Sequence, residues 1–151
     1  MTWGRVKGSE QMDESPKEYL RQLERLNAKI EHKRQEAEML RTAMQSLSVK
    51  MDADRVQTSH GDKMPENVAA LIDLEKEIET DTIVLISTRD KIINQIHSLP
   101  NCLYIKILYK RYVEYKRLEQ IAVELHYSYD RVKHLHGDAL QVFGKINKPL
   151  V

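Results

Sequence analysis

LEQIAVELHYSYDRVKHLHGDAL, residues 118–140, is the stretch on which the fold turns. Ile121, Ala122 and Leu125 put one apolar stripe on a short helix starting near Leu118, because residues three and four apart share a helix face. Ala122 is small enough to let a second helix cross closely. His126 and Tyr127 form a turn, and Ser128 offers a hydroxyl oxygen to the free N–H groups that open the next helix. Beyond it Val132, Leu135, Ala139, Leu140 and Phe143 recur at helical spacing and face inward, leaving Tyr129, Asp130, Arg131, Lys133 and His134 outward. Upstream, NCLYIKILYKRYVEYKR (101–117) predicts a further helix over roughly Cys102 to Val113, with Ile105, Leu108, Tyr109 and Tyr112 as its packing stripe. Periodicity alone fits any small helical bundle. The order Ile-Ala, Glu-Leu, turn, Ser, Val, Ala-Leu is more restrictive, and reads as a three-helix helix-turn-helix domain over residues 101–146.

Charge is distributed unevenly along the chain. Residues 101–151 hold nine Lys or Arg against five Asp or Glu, whereas residues 1–100 hold fifteen against eighteen, so a net +1 hides a basic C-terminal third. Lys106, Lys110, Arg111, Lys116 and Arg117 lie in or just after the first of the three helices, where such a module runs beside a phosphate backbone. Taken singly, each is equally an ordinary solvated cation.

These residues resemble region 4 of the sigma-70 family of transcription initiation factors. The matching positions are Leu108, Arg111, Tyr112, Glu119, Ile121, Ala122, Glu124, Leu125, Ser128, Val132, Leu135, Ala139 and Leu140. In that family the last helix enters the major groove of the promoter, so the resemblance implies that Ser128, Tyr129, Asp130, Arg131, Lys133 and His134 meet double-stranded DNA, with Lys116 and Arg117 on the backbone. Arg pairs bidentately with a guanine edge and Lys reaches guanine or phosphate, which makes Arg131 and Lys133 the expected readers. Asp130 either accepts from a cytosine amino group or complements the positive end of its own helix. One departure concerns the turn, where the family usually has Leu-Gly-Ile-Ser and this chain has Leu125-His126-Tyr127-Ser128. Glycine serves there because it takes positive φ freely. Histidine does so with some strain, and the turn is expected to survive.

The rest of the chain carries a different pattern. Tyr19, Leu23, Leu26, Ile30, Lys33, Ala37, Leu40, Met44, Leu47 and Met51 alternate spacings of four and three, with Lys33 the one charged member, which predicts a coiled-coil helix. Pro16 after Ser15 is a start signal of the right kind. A second periodic stretch runs from Pro65 to Leu99, with Val68, Leu71, Ile78, Leu85, Ile92, Ile96 and Leu99 on one side and Leu74, Ile83 and Ile93 broadening it. The expected architecture is therefore all-α. A long antiparallel helical hairpin (17–99) with a connection at 52–65 precedes the helix-turn-helix domain, after a mobile N-terminal tail (1–16). Each long helix leaves a stripe to cover, so the hairpin is also expected to form a homodimer.

The connection DADRVQTSHGDKMP (52–65) resembles the DRVQ-S-Gly-Asp-Lys-Met segment of small phage proteins in which a similar hairpin precedes a sigma region 4-like domain. Related late-gene transcriptional activators of Gram-positive phages, of the RinA and ArpU type, imply a phage or prophage DNA-binding regulator that activates late genes and contacts host RNA polymerase. Two other readings stay open. Small terminase subunits of phage DNA packaging also join a helix-turn-helix to an oligomerising helical part. A sigma-like domain also serves as an RNA polymerase-binding module that leaves DNA untouched.

Enzymatic chemistry finds little footing. Asp52, Asp54, His60 and Asp62 in the connection read better as turn and cap residues than as a metal site, and Cys102, His126, His134 and His136 lack zinc-ligand spacing. Serine-triad, phosphate-loop and HExxH spacings are missing, so neither an enzyme nor a cofactor is expected. Residues 1–100 hold one Trp and Tyr19 as their only Tyr, too few aromatics to capture an opened promoter strand as a complete sigma factor does. A single Cys speaks for a reducing compartment, and the opening MTWGRVKGSEQMDES shows no leader pattern. No run approaches the ~20 apolar residues of a membrane span. The expected location is the cytoplasm of a bacterial host, on the nucleoid.

Overall fold

The computed structural model describes residues 15–53 and 63–148. The chain is helical, with no strand among these residues. Helix α1 spans Pro16–Ala53, α2 Lys63–His97, α3 Cys102–Leu108, α4 Leu118–Leu125 and α5 Tyr129–Ile146. Between α3 and α4 the chain winds a π-helical turn, Tyr109–Val113. No helix among the described residues is long and apolar enough to cross a membrane. Residues 1–14 of the expected tail, and 54–62 of the connection with Asp54, Arg55, Gln57, Ser59, His60, Gly61 and Asp62, lie outside the described residues.

Local chemistry sets the helix ends. The Ser15 hydroxyl accepts from the Glu18 N–H at 3.3 Å and its carbonyl accepts from the Tyr19 N–H at 3.0 Å, while Pro16 sits where no N–H is needed. At the far end of α2, Ser98 N–H donates back to the Asn94 carbonyl, Pro100 cannot continue the helix, and Asn101 Oδ1 accepts from Leu103 N–H at 2.9 Å to open α3.

The described residues form two compact units, one within 23–91 and the other of 15–22 together with 92–148. In the first, Leu23, Ile30 and Ala37 of α1 and Leu74 of α2 are buried. Lys33 stands in the same stripe, half-buried, its Nζ 2.7 Å from Asp81 Oδ2 and 3.0 Å from Glu77 Oε2. Two turns on, Arg41 meets Glu75. Later residues of α1 thus meet earlier residues of α2, and the two segments run antiparallel. Val68 and Ile83, expected on the inner side, are instead 41% and 63% exposed. They belong to a second stripe lying roughly a third of a turn round α2 from Leu71, Leu74, Ile78, Asp81 and Leu85, at about 100° per residue.

The other unit is organised by α5, which packs on α3 and α4. Ile107, Ile121, Ala122 and Val132 form a closed cluster, flanked by Leu103, Leu118, Leu125 and Leu135. Further along α5, Ala139 and Phe143 are fully buried, and burial of a side chain the size of Phe contributes about 1.5–3 kcal/mol. The Tyr19 ring lies 6.1 Å from that of Phe143, and its hydroxyl donates to Gln95 Oε1 at 2.7 Å. A Cβ on Gly144 would come within 2.7 Å of Pro16 Cγ, so this approach of helix start to helix end requires glycine.

The expected stripe of the first small helix shifts. Leu108 and Tyr112 are buried, but their buried neighbours are Ile107 and Val113, while Ile105 and Tyr109 are half-buried and line an open groove with Ile93 and His97. Glu114 N–H bonds the Tyr109 carbonyl, five residues back, and this wider turn changes the phase of the side chains around it.

Candidate nucleic-acid interface

A three-residue turn joins α4 to α5, and its geometry follows from two backbone bonds. His126 takes the left-handed conformation (φ 58°, ψ 37°), which lets its N–H reach the Val123 carbonyl at 3.3 Å and the Tyr127 N–H reach the Ala122 carbonyl at 3.0 Å. This is a Schellman termination with histidine in the place glycine usually fills. Ser128 then turns the chain into α5, its Oγ accepting from the Arg131 N–H at 3.2 Å.

The first two turns of α5 carry the expected residues outward. Tyr129, Asp130, Arg131, Lys133 and His134 are all exposed, while Val132 between them is fully buried. Asp130 lies in the first turn, where a carboxylate complements the helix dipole. The Arg131 guanidinium carbon stands 4.8 Å from the centroid of the Tyr127 ring, a cation–π contact that holds a long side chain against the turn. Sequence reasoning missed Tyr127. Its signal is the four-residue spacing of an aromatic and an arginine, which brings the two together across a helix start.

The cations expected beside a phosphate backbone are disposed differently. Arg117 is exposed and its N–H bonds Gln120 Oε1 at 3.1 Å, opening α4. Lys116 is engaged: its Nζ lies 2.7 Å from Glu124 Oε1 and 3.2 Å from Glu114 Oε2. Lys110 reaches the other Glu124 oxygen at 2.6 Å. Glu124 therefore clamps two lysines from the π turn and the loop after it onto α4. Hydrogen bonds from Lys110 and then Lys116 hold its carboxyl below the usual value, and Glu124 and then Glu114 raise the Lys116 ammonium. Arg111 lies over the Tyr112 ring, 5.5 Å from its centroid. The structure thus places Tyr129, Asp130, Arg131, Lys133 and His134 on α5 with Ser128 as its cap, and commits Lys116 to ion pairs.

Two histidines on α5 part company. His134 is exposed, whereas His136 stacks on Tyr112 with ring centroids 5.7 Å apart and shares a 2.8 Å hydrogen bond between its Nε2 and the tyrosine hydroxyl. Burial first, then the charges of Arg111 and Lys17, push its pKa down to about 4, so the ring is neutral at pH 7. Among the described residues no three His, Cys, Asp or Glu side chains converge to hold a metal ion. Comparison of the chain with family models, with curated proteins and with solved structures gives no match.

Proposed function

We infer that this chain is a DNA-binding regulator of transcription, of the kind that activates phage or prophage late genes. In this reading α4, the His126–Ser128 turn and α5 act as a helix-turn-helix, and α5 enters the major groove. The observation that supports it most directly is the solvent-facing row on the first two turns of α5, with Arg131 already braced on Tyr127. The protein acts by binding, without a reaction. Arg131 and Lys133 read base edges or phosphates, Ser128 and Tyr129 sit at the helix mouth near the backbone, and Arg117 approaches the flanking phosphates. Host RNA polymerase is the expected second partner, met in the bacterial cytoplasm, with the antiparallel helical hairpin as the remaining surface.

The test is selection of binding sites from a random duplex pool at physiological salt, with wild type and with Arg131→Ala/Lys133→Ala. Wild type recovers one motif, and the double variant loses or relaxes it. A good bidentate contact contributes about 1–3 kcal/mol of discrimination, so affinity for the recovered site falls roughly 5- to 150-fold. No enrichment with wild type refutes sequence reading and transfers the role of the domain to a polymerase contact.

A further inference from the structure

Helix α2 carries a second regular stripe that the seam with α1 does not use. Leu71, Leu74, Ile78, Asp81, Leu85 and Ile92 are buried or half-buried, at alternating spacings of three and four up to Leu85. A third of a turn away, Val68, Ile72, Lys76, Glu79, Ile83 and Ile86 follow one another at spacings of four, four, three, four and three, again the repeat of a helix packed against a helix. All six face solvent, with Val68, Ile72, Ile83 and Ile86 exposed by 41–63%. Glu75 beside them is turned to Arg41 and takes no part.

The order of this stripe is its most telling property. Read forward it is apolar, apolar, Lys, Glu, apolar, apolar, and read backward it is apolar, apolar, Glu, Lys, apolar, apolar. A second copy laid antiparallel therefore meets its own complement. Ile72 faces Ile83 of the other copy, Lys76 faces Glu79, and Ala69 with Val68 faces Ile86, each layer joining the two alternating core positions of an antiparallel pair. A parallel arrangement in register sets Lys76 against Lys76 and Glu79 against Glu79, which like-charge repulsion opposes. Self-complementarity about a two-fold axis is the mark of an isologous interface.

We propose that the outer stripe of α2, Val68 to Ile86, is a homodimer interface in which two copies pair antiparallel with Lys76 of each against Glu79 of the other. The contact runs along about 27 Å of helix, at about 1.5 Å per residue. It stands independently of DNA reading, since no residue of α4 or α5 enters it.

The experiment is light scattering on the full chain at micromolar concentrations, with wild type, Lys76→Glu, Glu79→Lys and an equimolar mixture of the two variants. Each substitution is at an exposed helix position, and helicity by circular dichroism checks that the fold is kept. Wild type gives twice the 17.7 kDa chain mass. Each variant alone sets like charges against one another and gives the single-chain mass. The mixture returns to the doubled mass, because all four central charges are then complementary. A single-chain mass for wild type overturns the proposal, whatever else covers the stripe. So does a dimer indifferent to both substitutions, which places the contact on another face, or a mixture that stays monomeric, which rejects the antiparallel register.

Discussion

The Arg131 guanidinium is stacked on the Tyr127 ring at 4.8 Å, and the backbone N–H of that tyrosine is itself tied to the Ala122 carbonyl. The side chain proposed to read a base is thus braced, through one aromatic ring, on the end of the preceding helix. A cation–π contact at an exposed site contributes about 0.5–1 kcal/mol, so Tyr127→Ala is expected to weaken binding to the selected DNA site about two- to five-fold. Tyr127→Phe keeps the ring and is expected to bind as wild type does. Competition binding against a site altered at the Arg131-read base separates lost bracing from lost folding, since only the former narrows the gap between the two sites.

Glu124 holds Lys110 and Lys116 at once. Glu114 also lies 3.2 Å from Lys116 and 3.9 Å from Lys110, so the double variant Glu114→Gln/Glu124→Gln is expected to release both ammonium groups toward phosphate and to tighten non-specific DNA binding. The measurable sign is the salt dependence, whose log–log slope steepens by about 0.9 for each added phosphate contact, hence by nearly two units. An unchanged slope shows that the lysines point away from the duplex.

His136 makes stability depend on pH in a defined direction. Its folded pKa of about 4 lies below the ordinary 6.5, so the unfolded chain binds the proton more readily. The neutral-form stabilisation is complete above pH 6.5 and is lost as pH falls from 6.5 to 4. The ring is partly exposed, so solvent screening reduces a nominal ~3 kcal/mol to roughly half. His136→Gln retains a partner for the Tyr112 hydroxyl but cannot titrate. Its urea midpoint is expected to vary less than that of wild type over this interval.

The half-buried Lys33–Asp81 pair behaves in the opposite way at each extreme. The hydrogen bond from Lys33 lowers the Asp81 pKa below 3.8, so that contribution is present above pH 3.8 and vanishes as pH drops through the lowered value. Bonds to Asp81 and then Glu77 raise the Lys33 pKa above 10.5, so its contribution is present below 10.5 and is lost as pH climbs past the raised value. Asp81→Asn is expected to lower the melting temperature at neutral pH and to remove part of the acid limb. Lys33→Met is expected to lower it as well, because Asp81 is then left largely covered without the ammonium that bonds it, whereas replacing both members of the pair by apolar side chains is expected to leave it level.

Much of this was readable in the sequence, for reasons visible in single residues. Val132, Ala139 and Phe143 are buried where a 3.6-residue period puts them, and Ser128 caps α5 because a hydroxyl in that place has few other partners. Tyr19, Leu23, Ile30 and Ala37 follow their repeat inward. Periodicity failed where two repeats share one helix: Val68 and Ile83 fit an apolar side as well as Leu71 and Ile78 do, and only the partner helix separates them. It also failed at Tyr109–Val113, since a π turn breaks the period on which the reading depends. The Glu124 clamp was out of reach because charge pairing across a loop leaves no local pattern.

The two units interleave along the chain, since α1 and α2 each give one end to the unit that contains α5. Bringing Tyr19 to Phe143 closes a loop of more than a hundred residues, and Tyr19 to Gln95 one of seventy-six. Loop-closure entropy grows as about 1.5 RT ln n, so contacts of this span form late unless something shortens the path. The antiparallel α1–α2 pairing does so, for the register set at Lys33 and Asp81 carries residue 23 opposite residue 91. The seam thereby acts as a zipper whose closing delivers the start of α1 to the end of α2. In kinetic terms, Ile30→Ala is expected to slow refolding of the unit that contains α5, a unit of which Ile30 is not part, as stopped-flow circular dichroism would measure.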